Sequence, residues 1–204
     1  MDTRQRIEEK ARELFMRFGI RSVSMDDIAG AVGMSKKTIY ASYADKDALV
    51  EAVIGRHIGE SEQMISELIR ESANAVDEIL LTMRLFECQF RNLNPIVLHD
   101  LQKFHPSAYR LIEQHKQQFV LQTMQVNMHR GIREGLFRSD MNVEVMSRFQ
   151  LESMMLAFDT QLFPTDQFNL ADVSQEIHRH YLFGMCTPYG QTMVLNHQMI
   201  KDAQ

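Results

Sequence analysis

Residues 22–49 read Ser-Val-Ser-Met-Asp-Asp-Ile-Ala-Gly-Ala-Val-Gly-Met-Ser-Lys-Lys-Thr-Ile-Tyr-Ala-Ser-Tyr-Ala-Asp-Lys-Asp-Ala-Leu. Their spacing predicts two short helices about a tight turn. Ser24 is placed to cap the first helix, with Asp27 three residues on as in a capping box, and Ile28, Ala29 and Val32 form its apolar side. Gly33 follows, where a residue free to take φ > 0 redirects the chain sharply. Ser35 caps the second helix, Lys36 to about Tyr43. Only Ile39 in that helix reads as inward; Lys36, Lys37, Thr38, Tyr40 and Ser42 point elsewhere.

A buried helix would not be so polar, and these side chains suit a nucleic-acid groove. The lysines can meet phosphates or guanine edges, Thr38 a phosphate or thymine methyl, and Tyr40 offers a ring with a hydroxyl tip. Lys46 opens the next helix, where its charge and free backbone N–H groups both suit a phosphate. Ser24, Met25, Ser35, Lys36, Lys37, Thr38, Tyr40, Ser42 and Lys46 are therefore the expected DNA contacts. The competing reading is a solvated helical hairpin with ordinary surface lysines.

The frame Arg6-Ile7, Ala11, Leu14-Phe15, Gly19, Ser24, Ile28-Ala29, Val32-Gly33, Ser35, Thr38-Ile39-Tyr40, Tyr43, Lys46 and Leu49 resembles the N-terminal domain of the tetracycline-repressor (TetR/AcrR) family. A weaker echo lies at Gly131-x-x-x-Gly135-Leu136-Phe137-Arg138 and Thr187-Pro188-x-Gly190. Lys37 stands where glycine is frequent in that family, and Met25 where a polar residue often contacts DNA. The resemblance implies a three-helix DNA-binding head, an all-helical effector-binding body, and a homodimer that a small-molecule effector releases from a double-stranded operator.

The rest of the chain agrees. Its 204 residues are 45% hydrophobic, enough for one or two domains with a real core. The net charge is −5, yet residues 1–50 are nearly balanced, so the acid excess lies downstream of the expected reader. An acidic body repelled by DNA favours one docking face. No apolar run approaches bilayer-spanning length, and the first residues do not form a signal-peptide core, which predicts a cytoplasmic protein with no membrane partner. Cys88 and Cys186, too few for a disulfide framework or zinc site, read as buried thiols.

Helical periodicity runs throughout, predicting an all-α fold divided as 1–48 (head) and 49–204 (body). Helices are expected over about 3–18, 45–72, 75–93, up to 104, 106–134, 142–163, 171–185 and 191–200. The long one from Asp45 carries no proline and would couple body to head. On the helix after Asn142 only Arg148, Glu152 and Asp159 form a charged stripe, which predicts burial against two bodies, one of them a second subunit. Val145, Phe149, Leu156 and Phe163, with Val173, Ile177, Tyr181 and Gly184 of the last main helix, are the expected dimer interface. Pairing would set two heads about 34–36 Å apart on one DNA face.

The 15 methionines are unusually many. Met83, Met124, Met128 and Met154, with Phe86, Phe90, Phe104 and Phe158, form candidates for an adaptable effector cavity, and Cys88 and His99 for polar groups at its wall. Methionine and phenylalanine at helical spacing equally describe ordinary core. No phosphate loop, zinc or nucleophile-elbow motif is present, and His178 and His180 diverge on their helix, so neither catalysis, a cofactor nor a metal is expected. The alternative from another class is an all-helical small-molecule carrier or sensor whose helix-turn-helix is only structural.

Overall fold

The structure, a computed structural model, describes residues 2–91 and 93–202, with side chains to Asn196. Its helices are α1 (Thr3–Phe18), α2 (Met25–Val32), α3 (Lys36–Ser42), α4 (Lys46–Glu71), α5 (Ala75–Phe90), α6 (Ile96–Phe104), α7 (Pro106–His115), α8 (Leu121–Arg133), α9 (Val143–Leu156), α10 (Leu170–Met185) and α11 (Pro188–Asp202). No strand occurs among the described residues beyond one isolated bridge, Phe137 to Cys186.

The chain forms two compact units, Met1–Glu62 with Asn92–His115, and Gln63–Arg91 with Lys116–Gln204. The helix α4 contributes to both. This division differs from the expected boundary at 48/49. Val97, Leu101 and Ala108 of α6 and α7 pack into the same core as Ile7, Phe15, Ile28 and Ile39, so later sequence completes the first unit. Polar contacts reinforce it: the buried Asp100 carboxylate accepts from the Arg21 N–H at 2.9 Å, and buried His105 Nδ1 lies 2.6 Å from Asp47.

Two expected helix limits are corrected. The stretch 106–134 contains a π-helical turn, Lys116–Val120, between α7 and α8; one extra residue per turn escapes a 3.6-residue pattern. The helix α9 stops at Leu156 instead of Phe163. There Asp159 accepts the backbone N–H groups of Gln161 and Leu162, a local bond that competes with helix propagation.

The paired glycine motifs meet inside the second unit. Leu136 and Phe137 leave α8 through Gly135, at φ +70°, and lie along the start of α11. Arg138 donates its N–H to Met185, Thr187 donates its N–H to Leu136, and the Thr187 hydroxyl donates to the Gly135 carbonyl. A Cβ on Gly131 would stand 2.0 Å from the Phe137 ring, and one on Gly190 2.2 Å from the Leu136 carbonyl oxygen. The glycines are there for space. They let a buried aromatic and a backbone strap seat against helices on either side.

Candidate nucleic-acid interface and effector cavity

The reading head is built from local chemistry. Ser24 accepts from the Asp27 N–H at 3.2 Å while Asp27 accepts from the Ser24 N–H at 2.8 Å, completing the capping box. The Ser24 hydroxyl, donating to the Asp27 carboxylate at 2.6 Å, and then the Ser24 N–H hold that carboxyl below its ordinary pKa. Gly33 sits at φ 71° and ψ 35°, the left-handed region that ends α2 and aims α3. Ser35 caps α3 by accepting from the Thr38 N–H. Ile39 is fully buried and anchors the helix. At its far end the Tyr43 hydroxyl donates to Glu8, and Arg4 donates to the Ser42 carbonyl at 2.8 Å while lying over the Tyr43 ring.

This leaves Lys36, Lys37, Thr38 and Tyr40 on the outer surface, with Tyr40 44% exposed. They are not equally available. Lys36 is paired with Asp26 at 2.6 Å, whereas Lys37 has no ionic partner among the described residues. The hydroxyls of Ser35, Thr38 and Ser42 lie within one local network, Ser35 to Thr38 at 2.8 Å and Ser42 donating to the Thr38 carbonyl at 3.3 Å.

Two expected contacts are placed otherwise. Met25 is 6% exposed and packs into the head core, because the first position of α2 turns inward once Ser24 has capped it. Lys46 donates to the Ile20 carbonyl at 2.6 Å and stands near Asp100, Asp47 and Asp27. Burial lowers its pKa against the pull of those carboxylates. Its ammonium ties α4 to the loop before α2.

The second unit contains a small cavity, about 70 Å³, lined by α5, α8, α9 and α10. Of the expected residues it gathers Met83, Phe86, Met124 and Met154. Phe90 and Phe158 extend its wall as aromatic neighbours: Phe90 stacks on Phe86 at 5.5 Å and meets Phe158 edge-on at 5.4 Å. Met128 belongs to the core, touched by the Tyr181 hydroxyl at 3.7 Å. Cys88 is exposed and does not line the cavity, correcting its reading as a buried thiol. Cys186 is buried, and desolvation pushes its thiol pKa up to about 11. His99 and Phe104 belong to the first unit, where Arg21 lies over the Phe104 ring.

Sequence reasoning missed the cavity's polar lining: Glu78, Thr82, Thr123, Asn127, Gln150 and His178. Isolated polar residues in amphipathic helices look like surface positions, and only packing shows otherwise. Glu78 is buried, which raises its pKa, while hydrogen bonds from Asn127 and from Arg130, at 3.0 Å, favour its charge. Burial works against the Arg130 charge, but Glu134 and Glu78 outweigh it.

On the outer side of α9, Val145, Phe149 and Leu156 form an exposed apolar stripe, with Phe149 60% exposed. Ile177 and Phe163 are half-buried and Gly184 is exposed. Val173 and Tyr181, also expected at the interface, are instead buried within the unit's own core.

An exposed polar helix, α3, set by a tight turn after α2 among short capped helices is the arrangement of a helix-turn-helix DNA-binding domain. Residues 7–53 match the family described as bacterial regulatory proteins, tetR family. Over that stretch the chain carries the family's N-terminal domain. It is 34% identical over 93 residues to an uncharacterized HTH-type transcriptional regulator, YvaF, of Bacillus subtilis, a match spanning 45% of this chain and about half, 49%, of that relative. It is 25% identical over 191 residues to the HTH-type transcriptional regulator SAB2452 of Staphylococcus aureus, covering 91% of this chain and 92% of the other. Among solved structures, a TetR-family transcriptional regulator from Agrobacterium tumefaciens superposes with a TM-score of 0.76 at 18% identity, covering 90% of this chain and 97% of that one. No helix among the described residues is long and apolar enough to cross a membrane.

Proposed function

We propose that the protein is a one-component repressor acting in the cytoplasm by binding rather than turnover. Two copies pair and insert α3 of each head into successive major grooves of a palindromic operator. A small-molecule effector in the second unit releases them.

The observation that carries this reading is the composition of α3. One fully buried side chain, Ile39, fastens the helix, while Lys37, Thr38 and Tyr40 remain outside. A helix that only scaffolded the head would bury a broader stripe. Lys37 supplies a free cation for phosphate or guanine and Tyr40 an amphipathic ring. Lys36 joins them once its exposed pair with Asp26 opens.

Pairing is supported by the stripe of Val145, Phe149 and Leu156, which shares one face of α9 in water. A single head reads only a few base pairs, and a two-fold pair doubles the site. Effector release requires unequal affinity for the DNA-competent and released forms.

Fluorescence anisotropy with a labelled palindromic fragment from the gene's upstream region tests the reading. Saturable, sequence-selective binding that weakens steeply with salt is expected. Absence of binding at low salt overturns it.

A further inference from the structure

Carboxylates outnumber lysines and arginines 27 to 22 in this chain, and Lys10, Arg12, Lys36 and Arg56 of the first unit all stand in ion pairs. One end of that unit is an exception. Arg17 of α1, Arg21 of the turn after it and Lys103 of α6 are exposed, and none has an ionic partner among the described residues. They surround two rings left partly in water, Phe18 at 49% exposure and Phe104 at 36%. The Arg17 guanidinium lies 5.1 Å over the Phe18 ring, and Phe104 carries Arg21 at 5.1 Å and Lys103 at 5.5 Å.

The backbone joins these side chains into one surface. A Cβ on Gly19 would stand 2.8 Å from the Ile96 side chain, so the turn lies directly on α6. The Arg21 N–H donates to Asp100 at 2.9 Å, a main-chain bond that fixes the turn and leaves the guanidinium outside. Lys46, expected at a phosphate, is instead directed onto the Ile20 carbonyl, and the next residue, Arg21, stands at the surface in its place. In a helix-turn-helix the first helix crosses the DNA backbone. Ser24, the cap of that helix, lies three residues beyond Arg21.

We propose that Arg17, Arg21 and Lys103 form a second DNA contact, which grips backbone phosphates flanking the site read by α3. A guanidinium stacked on a ring keeps its N–H edge available to a phosphate, and because it is already ordered it loses less freedom on binding. Such a contact adds affinity without reading sequence. The flank of a bound duplex reaches this surface without a separate encounter, because α3 belongs to the same compact unit. An acidic protein segment would have no such tether. The assignment rests on the DNA-binding reading and extends it.

The test uses the full chain and two labelled duplexes: the upstream fragment trimmed to its palindrome, and the same palindrome with one helical turn of unrelated sequence on each side. By anisotropy, wild-type protein should bind the longer duplex about tenfold more tightly, with a log–log salt slope steeper by about one for each head bound. The double variant Arg21→Gln/Lys103→Gln should lose that gain and keep wild-type affinity for the trimmed duplex. A double variant lacking two exposed cations of the second unit, Arg70→Gln/Arg133→Gln, should keep the gain, which separates a local grip from bulk charge.

Equal affinity of the wild type for the two duplexes overturns the proposal, and that measurement needs no variant to fold. So does a gain that survives in Arg21→Gln/Lys103→Gln, a gain lost equally in Arg70→Gln/Arg133→Gln, or a loss of affinity that is as large on the trimmed duplex as on the long one. These results leave the regulator reading standing, since the trimmed duplex still binds. Failure of wild-type protein to bind either duplex removes that reading, and the flank contact with it.

Discussion

Tyr40 and Lys46 show how two residues assigned one role by their sequence positions acquire different ones in the fold. Tyr40→Ala removes a half-exposed ring and should weaken operator binding about tenfold, with thermal unfolding nearly unchanged. Lys46→Ala removes the donor to the Ile20 carbonyl and should cost about 1 kcal/mol by denaturant titration. Equal stability of the Lys46→Ala variant and the wild type would return Lys46 to the DNA surface. Asp26→Asn frees Lys36 and should tighten DNA binding while steepening the salt dependence by about one phosphate contact; an unchanged slope would show that Lys36 stays off the backbone. At His178, burial depresses the folded pKa, so the unfolded chain takes up the proton first as pH falls below about 6.5. Stability conferred by the neutral ring is therefore present above that value and lost below it, with a slope of up to about 1.4 kcal/mol per pH unit. Urea titrations at pH 7 and 5.5 should show a smaller loss in His178→Phe than in wild type, and parallel losses would exclude the histidine.

Among the elements, helix starts were the most legible features because each is written in adjacent residues. Ser24 and Ser35 both cap as side-chain acceptors. Ends and interruptions were less legible: α9 stops where Asp159 bonds backbone groups beyond it, and the π turn at Lys116–Val120 leaves no mark in a hydrophobic pattern. The Gly131 and Gly190 motifs were visible as spacing, but their meaning needed Phe137 and Leu136 in place beside them. Gly131→Ala forces a methyl into the Phe137 ring and should destabilise the second unit by about 3 kcal/mol, as should Gly190→Ala against the Leu136 carbonyl. Because both act on one strap, the double variant should lose less than the sum. Strict additivity in chemical denaturation would mean that the two glycines serve separate contacts.

For the whole molecule, the helical class and the exposed polar face of α3 were evident from residues 22–49, since capping, turning and the solitary inward Ile39 are local properties. The cavity was half legible. Methionine and phenylalanine positions mark apolar faces, but Gln150 and His178 become buried only when α5, α8, α9 and α10 assemble around them. Dimerisation belongs to this scale as well. Phe149→Glu places a charge in the exposed α9 stripe and should shift sedimentation towards monomer, with operator affinity falling in parallel. A dimer that survives this change would place the pairing surface elsewhere. The shared core of the first unit has a practical corollary. A fragment cut after the matched segment at residue 53 would lack Val97, Leu101 and Ala108, and the underside of its helices would lie open to water. Transplanting this DNA specificity onto another scaffold thus calls for carrying a distant stretch of chain with it, since the recognition module is discontinuous and its foundations are laid some fifty residues further on.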